Sequence, residues 1–170
     1  MNKYFKVFFC GALLAVGAGF AEAAETDVLN QDFSNGATME GWTVVDENGD
    51  GVTWQEKSNL KGIVYDGMNS KPAAQDWLFT PSFQLQGGKH YVVAYTVAQR
   101  GAFGADHISF YNGEKAEVAS MTELMVEETY DFNAGKVTRY CHIYAENDRT
   151  CVIGMKLTSA AGNGVLSLKS

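Results

Sequence analysis

The chain has 170 residues, 13 Lys and Arg against 20 Asp and Glu, and a formal net charge of −7. That is the size of one ordinary domain. So acidic a surface repels phosphate backbones and favours cations, which excludes nucleic acid as a partner class. Lys3 and Lys6 precede an apolar run from Val7 to Phe20, and Ala21-Glu22-Ala23 places small residues where a signal peptidase inspects the chain. This layout predicts a secretory leader over 1–23, cleaved before Ala24. The run is shorter than the roughly 20 residues of a permanent anchor, so a retained membrane helix is the weaker alternative. Cys10 lies inside the run and leaves with the leader. Losing two lysines and Glu22 leaves 11 basic and 19 acidic residues in 24–170. No further apolar run there is long enough to span a membrane, and no tail of GPI type is present. The expected address is extracellular or cell-surface, with the periplasm as the other destination.

Short runs that alternate apolar and polar residues follow one another along 24–170, rich in Val, Ile, Tyr, Phe and Thr. Such period-two runs predict strands. The candidates in chain order are 41–45, 52–55, 62–65, 77–80, 89–97, 107–111, 125–132, 137–144, 151–157 and 165–168. The clearest is 89–97, with Tyr91, Val93, Tyr95 and Val97 on one face. Asn48-Gly49-Asp50-Gly51, Gly87-Gly88, Asn112-Gly113, Ala134-Gly135 and Gly162-Asn163-Gly164 punctuate them with turn chemistry. The segment 117–128 has room for one helical turn. About ten strands at this spacing predict an all-β domain, a jelly-roll-like sandwich of two antiparallel sheets.

Asp46, Asn48 and Asp50 stand at positions one, three and five of a loop with Gly51 at six. That spacing turns three oxygen-bearing side chains toward one point, and Ca²⁺ is the cation such hard donors suit. A Ca²⁺ ion takes six to eight oxygens, so three side chains are half a site, with Asp76 and Asp66 as weaker contributors. The twelfth position is Lys57 rather than an acid, so this is not a helix-loop-helix calcium loop. The alternative is a turn whose Asx side chains bond their own backbone.

Cys141 and Cys151 flank the polar turn 145–149, in phase with Ile143 and with Ile153 and Met155. Either they bridge across two facing strands, if the register sets them opposite, or they are two buried thiols. Trp42, Trp54 and Trp77 read as core residues beside turns rather than as a stacking platform. The glycine-rich 100–106 reads as a loop that offers Arg100 and Phe103 as weak ligand contacts.

Catalytic machinery is not visible. His90, His107 and His142 lie on separate strands without the spacing of a metal pair, and no nucleophile elbow or phosphate loop appears. Both remaining cysteines face inward, away from the exposure a reactive thiolate requires.

Several landmarks keep a fixed order: Phe33, Gly41-Trp42, the run from Asp46 to Trp54, Asp76-Trp77-Leu78-Phe79-Thr80-Pro81, 85–91, 151–155 and 166–168. This order resembles the cleaved-adhesin and choice-of-anchor J families of secreted Bacteroidetes-type proteins, including the adhesin modules attached to gingipain proteases. The resemblance runs from about Asn30 to the C-terminus. It implies a jelly-roll sandwich, calcium sites in some members, and a role in adhesion or accessory binding. Many such proteins continue into a C-terminal sorting segment, whereas this sequence stops just after its last candidate strand, so release and periplasmic retention stand beside surface attachment. The sequence therefore points to a non-catalytic extracellular module whose loops meet a protein or glycan. A small secreted hydrolase of glycan or peptide, and a structural subunit of a surface complex, are the competing classes. The oligomeric state is not legible.

Overall fold

The alternating runs become strands because only that period sends every second side chain to one face. The computed structural model describes residues 5–9, 26–36, 38–68, 72–100, 104–131 and 135–169. Among these are thirteen strands: β1 (Phe5–Phe9), β2 (Thr26–Gln31), β3 (Thr43–Asp46), β4 (Gln55–Lys57), β5 (Gly62–Asp66), β6 (Ala74–Phe79), β7 (Phe83–Leu85), β8 (Lys89–Arg100), β9 (Asp106–Gly113), β10 (Glu123–Tyr130), β11 (Lys136–Ala145), β12 (Arg149–Ser159) and β13 (Val165–Leu168). All pair antiparallel, and they form a sandwich of two sheets. The expected all-β architecture is the one observed. The only helical elements among the described residues are three short 3₁₀ turns.

The long strand β8 organises the first sheet. β11 pairs with residues 89–98 along one edge. The other edge is divided end to end, with β1 at 91–94 and β13 at 97–100. β2 extends the sheet beyond β1, and β5 then β4 extend it beyond β13. In the second sheet β12 is central, paired with β9 on one side and with β6 and β7 on the other. Pro81 interrupts that second edge, because proline has no N–H to give a ladder. Thr80 bridges the gap, its N–H donating to the Ile153 carbonyl and its hydroxyl accepting from the Ile153 N–H, both at 3.0 Å.

The core lies between the sheets. Tyr91, Val93, Tyr95 and Val97 are each at most 2% exposed and meet Ile108, Phe110, Ile153, Met155 and Leu157 from the facing layer. Tyr95 stacks on Phe110 with ring centroids 4.1 Å apart. Burying each such side chain is worth about 1.5–3 kcal/mol.

A second apolar cluster covers the outer face of the β12 sheet. There Trp77, Phe79 and Val152 lie under Met121, Val118 and Ala116 of the β9–β10 connection. The 117–128 segment thus holds one 3₁₀ turn at Val118–Ser120 before β10 begins. Gly154 makes room for this strap: a Cβ there would lie 2.6 Å from the Met121 sulfur.

β1 falls within the segment read as a leader, whose remaining residues, 1–4 and 10–23, lie outside the described ones. Phe5 and Val7 are fully buried, and the Phe5 ring meets Trp42 edge-on at 5.6 Å. An apolar Phe-Lys-Val-Phe run serves either as leader core or as strand, and composition does not separate the two.

Candidate functional site

The acidic loop is built on its own backbone. Gly49 (φ 69°) and Gly51 (φ 77°) adopt the left-handed conformation that turns it sharply. Asp46 Oδ1 then accepts from the N–H groups of Gly49 at 2.7 Å and Asp50 at 3.2 Å, while Oδ2 accepts from Gly51 at 2.8 Å. Asp50 Oδ1 accepts from the Val52 N–H at 2.7 Å. Asn48 Nδ2 donates to the Ala73 carbonyl at 2.7 Å and to Asp50 Oδ2 at 3.3 Å. These are the bonds of an Asx-rich turn.

Asp76 is different. It lies opposite Asp46 in the β3–β6 ladder, fully buried, and neither carboxylate oxygen has a hydrogen-bond partner. Burial pushes its carboxyl up to about 6. Thr53 offsets part of that rise from close by without reaching hydrogen-bond geometry, and the charges of Asp46 and Asp50 add to it. An orphaned carboxylate beside two others matches a hard cation in donor chemistry. As arranged, however, no three His, Cys, Asp or Glu side chains among the described residues converge on a point that would hold an ion. Asp66 lies elsewhere, on β5 of the other sheet, paired with Lys57 at 2.8 Å.

The cysteines do not bridge. Cys141 on β11 and Cys151 on β12 are separate buried thiols, on consecutive strands that belong to opposite sheets and share no ladder. Burial pushes both thiols up to about 12. Trp42, Trp54 and Trp77 are all buried, as the core reading expects. The Trp77 indole N–H donates to Glu47 at 3.0 Å, and Lys156 lies over its ring. Arg100 is exposed at the end of β8, and Phe103 lies outside the described residues.

Sequence reasoning missed an accessible aromatic surface. Along β11, Cys141, Ile143 and Ala145 point inward, which turns Tyr140, His142 and Tyr144 outward. Tyr140 is 53% and Tyr144 50% exposed. Four residues apart on one strand face, they are separated by about 13 Å. Ala94 and Val92 oppose Tyr140 and His142 on β8, so nothing tall rises beside them, while His90 packs its ring 4.6 Å from that of Tyr144. The signal was present in the sequence as aromatics occupying the phase opposite to Cys141 and Ile143.

Tyr144 also lines an open cleft of about 550 Å³ with Glu114, Glu123, Glu146, Asp148 and Arg149. Arg149 is steadied by Asn112 Oδ1 at 3.0 Å and lies 3.8 Å from Glu123, and Asp148 accepts from the Gly87 N–H at 2.7 Å. An aromatic row thus runs into a polar, mostly acidic cleft at the β11–β12 turn. His107 lies away from it on β9, bonded to Thr129 at 2.9 Å.

The two-sheet sandwich thus presents an exposed aromatic row beside a polar cleft. The chain belongs to the cleaved adhesin domain family, whose model, Cleaved Adhesin Domain, matches residues 26–158. Cleaved adhesin domains are non-catalytic modules that occur in secreted and surface proteins such as gingipains. Among solved structures, the K1 cleaved adhesin domain of Lys-gingipain from Porphyromonas gingivalis aligns with TM-score 0.65 at 16% identity, covering 83% of this chain and 94% of that one. The K3 domain of the same protein gives 0.64 at 18%, covering 84% and 94%. The CBM22-1 xylan-binding domain of Paenibacillus barcinonensis Xyn10C gives 0.54 at 14%, covering 84% and 90%. These likenesses concern the fold. No curated protein sequence matches the chain significantly. No helix among the described residues is long and apolar enough to cross a membrane.

Proposed function

We propose that this chain is a secreted, non-catalytic module that binds a glycan along the outer face of β11. The observation behind this reading is the pair Tyr140 and Tyr144, half exposed on one flat strand face and leading into the polar cleft. Sugar rings present C–H faces that pack on aromatic rings, and their hydroxyls seek carboxylates and guanidinium groups. Tyr140 and Tyr144 supply the first, and Glu146, Asp148 and Arg149 the second. Affinity electrophoresis against soluble plant and host polysaccharides tests it, followed by calorimetry with the matching oligosaccharides. Y140A and Y144A are each expected to weaken binding at least tenfold with an unchanged melting temperature. Full binding by the double variant, or no binding of any glycan by the wild type, removes the reading.

Two further parts of the proposal are independent of the ligand. The leader 1–23 is removed on export. A Ca²⁺ ion at the acidic loop would be held by Asp46, Asn48 and Asp50 with Asp76, once the loop gives up some of the backbone bonds that its carboxylates accept in the structure.

A further inference from the structure

We infer that the processed protein carries an open strand position between β2 and β8 that accepts an extended segment of another polypeptide. The inference rests on removal of the leader, proposed above. In the structure that position is filled by Phe5–Phe9, paired with β2 on one side and with β8 residues 91–94 on the other. Phe5 and Val7 are fully buried there, Phe5 against Trp42, and Lys6 pairs with Asp27 at 3.1 Å. Taking this strand away uncovers two apolar sockets and leaves those backbone groups of β8 at 91–94 that face β1 without ladder partners, while the groups facing β11 keep theirs. Unpaired edges of this kind bind strands through main-chain hydrogen bonds, while pockets select the alternate side chains.

β2 is a poor replacement. Gln31 and Leu29 are the register partners of Phe5 and Val7. Moving β2 one strand inward, by about 4.8 Å, would set Gln31 and Leu29 over sockets shaped by a phenylalanine and a valine. The chain that follows β2 is also tied down. Phe33 packs on Trp42 at 5.2 Å, and the Ser34 N–H donates to the Lys169 carbonyl at 3.1 Å. The position therefore calls for an antiparallel strand with an aromatic residue, a cation and a β-branched residue in succession, the cation meeting Asp27. β13 already covers β8 at 97–100, so the vacancy is about four residues long.

The test uses the protein recovered after secretion. Intact mass first locates its N-terminus. The protein is then titrated with a synthetic peptide of sequence NKYFKVFF bearing a charged solubilising tail, and tryptophan emission and amide exchange at 91–94 are followed. With the chain starting at Ala24, saturable binding is expected, with a change in emission from Trp42 and slowed exchange of the 91–94 amides that face β1. Peptides carrying the Phe5→Ala or Val7→Ala change should bind at least tenfold more weakly, and a scrambled peptide not at all. An Ala24 terminus with no peptide binding and the β1-facing amides of 91–94 already protected means that β2 has closed on β8, and it overturns this inference alone. An unprocessed terminus that begins at Met1 overturns it together with the leader reading.

Discussion

Asp46 and Asp76 share one rung of the β3–β6 ladder, two carboxylates facing each other at the loop end of the sheet. Like charges set opposite in a sheet destabilise it, and here one of them is fully buried. The folded state therefore holds the Asp76 proton up to a pH of about 6, above its ordinary 3.8. Stability contributed by this group is complete below its unfolded value and is lost as pH rises through about 6. In EDTA, unfolding free energy should fall by on the order of 1–3 kcal/mol from this group between pH 4 and pH 7. Asp76→Asn should remove that component and raise stability above pH 7. Parallel pH profiles for variant and wild type in urea titrations would contradict the assignment.

Calcium should act on the same residues. A ligand at a hundred times its dissociation constant stabilises by about 2.7 kcal/mol, which for a domain of this size is a shift of several degrees. Wild type should melt higher in millimolar Ca²⁺ than in EDTA, and Asp50→Asn or Asp76→Asn should abolish the difference. Superimposable wild-type curves would dispose of the metal.

Gly154 and Met121 are coupled by space. A Cβ at 154 would lie 2.6 Å from the Met121 sulfur and 3.0 Å from the Phe79 ring. Gly154→Ala should cost about 1–3 kcal/mol by overpacking. Combining it with Met121→Ala should cost less than the sum of the two single changes, a coupling that chemical denaturation of the four proteins measures.

Cys141 and Cys151 are buried thiols on opposite sheets, each pushed up to about 12. A thiol reagent such as DTNB should titrate neither in the native protein and both in guanidinium. Intact mass should show no loss of two hydrogens. A native mass lower by those two hydrogens would establish a bridge.

Much of the fold was legible because strand period is a local property. The 89–97 run predicted the face of Tyr91, Val93, Tyr95 and Val97 that fills the core, and 165–168 matches β13. Sheet membership was not legible. Cys141 and Cys151 sit on either side of a short turn that reads as a hairpin, but the chain changes layers there, and only long-range pairing decides that. β7 escaped because three residues after Pro81 give too little pattern to read. β2, with Val28 and Leu29 adjacent, does not alternate. In the acidic loop the bonds to backbone N–H groups followed the turn chemistry of the sequence. The isolation of Asp76 did not, since it depends on what surrounds a buried side chain. Tyr140 and Tyr144 were visible as strand residues, but their exposure depends on which face of β11 the rest of the molecule leaves uncovered.

β13 lies about a hundred residues beyond β5 in the chain, yet it joins β5 to β8 in the interior of its sheet. Without 165–168 the first sheet is split, with β5 and β4 parted from β8 and its other partners. Long-range closure of this sort is slow, on the order of milliseconds to seconds for comparable topologies. Closure of the first sheet is thus set by a pairing between segments far apart in sequence, which no local run can form by itself.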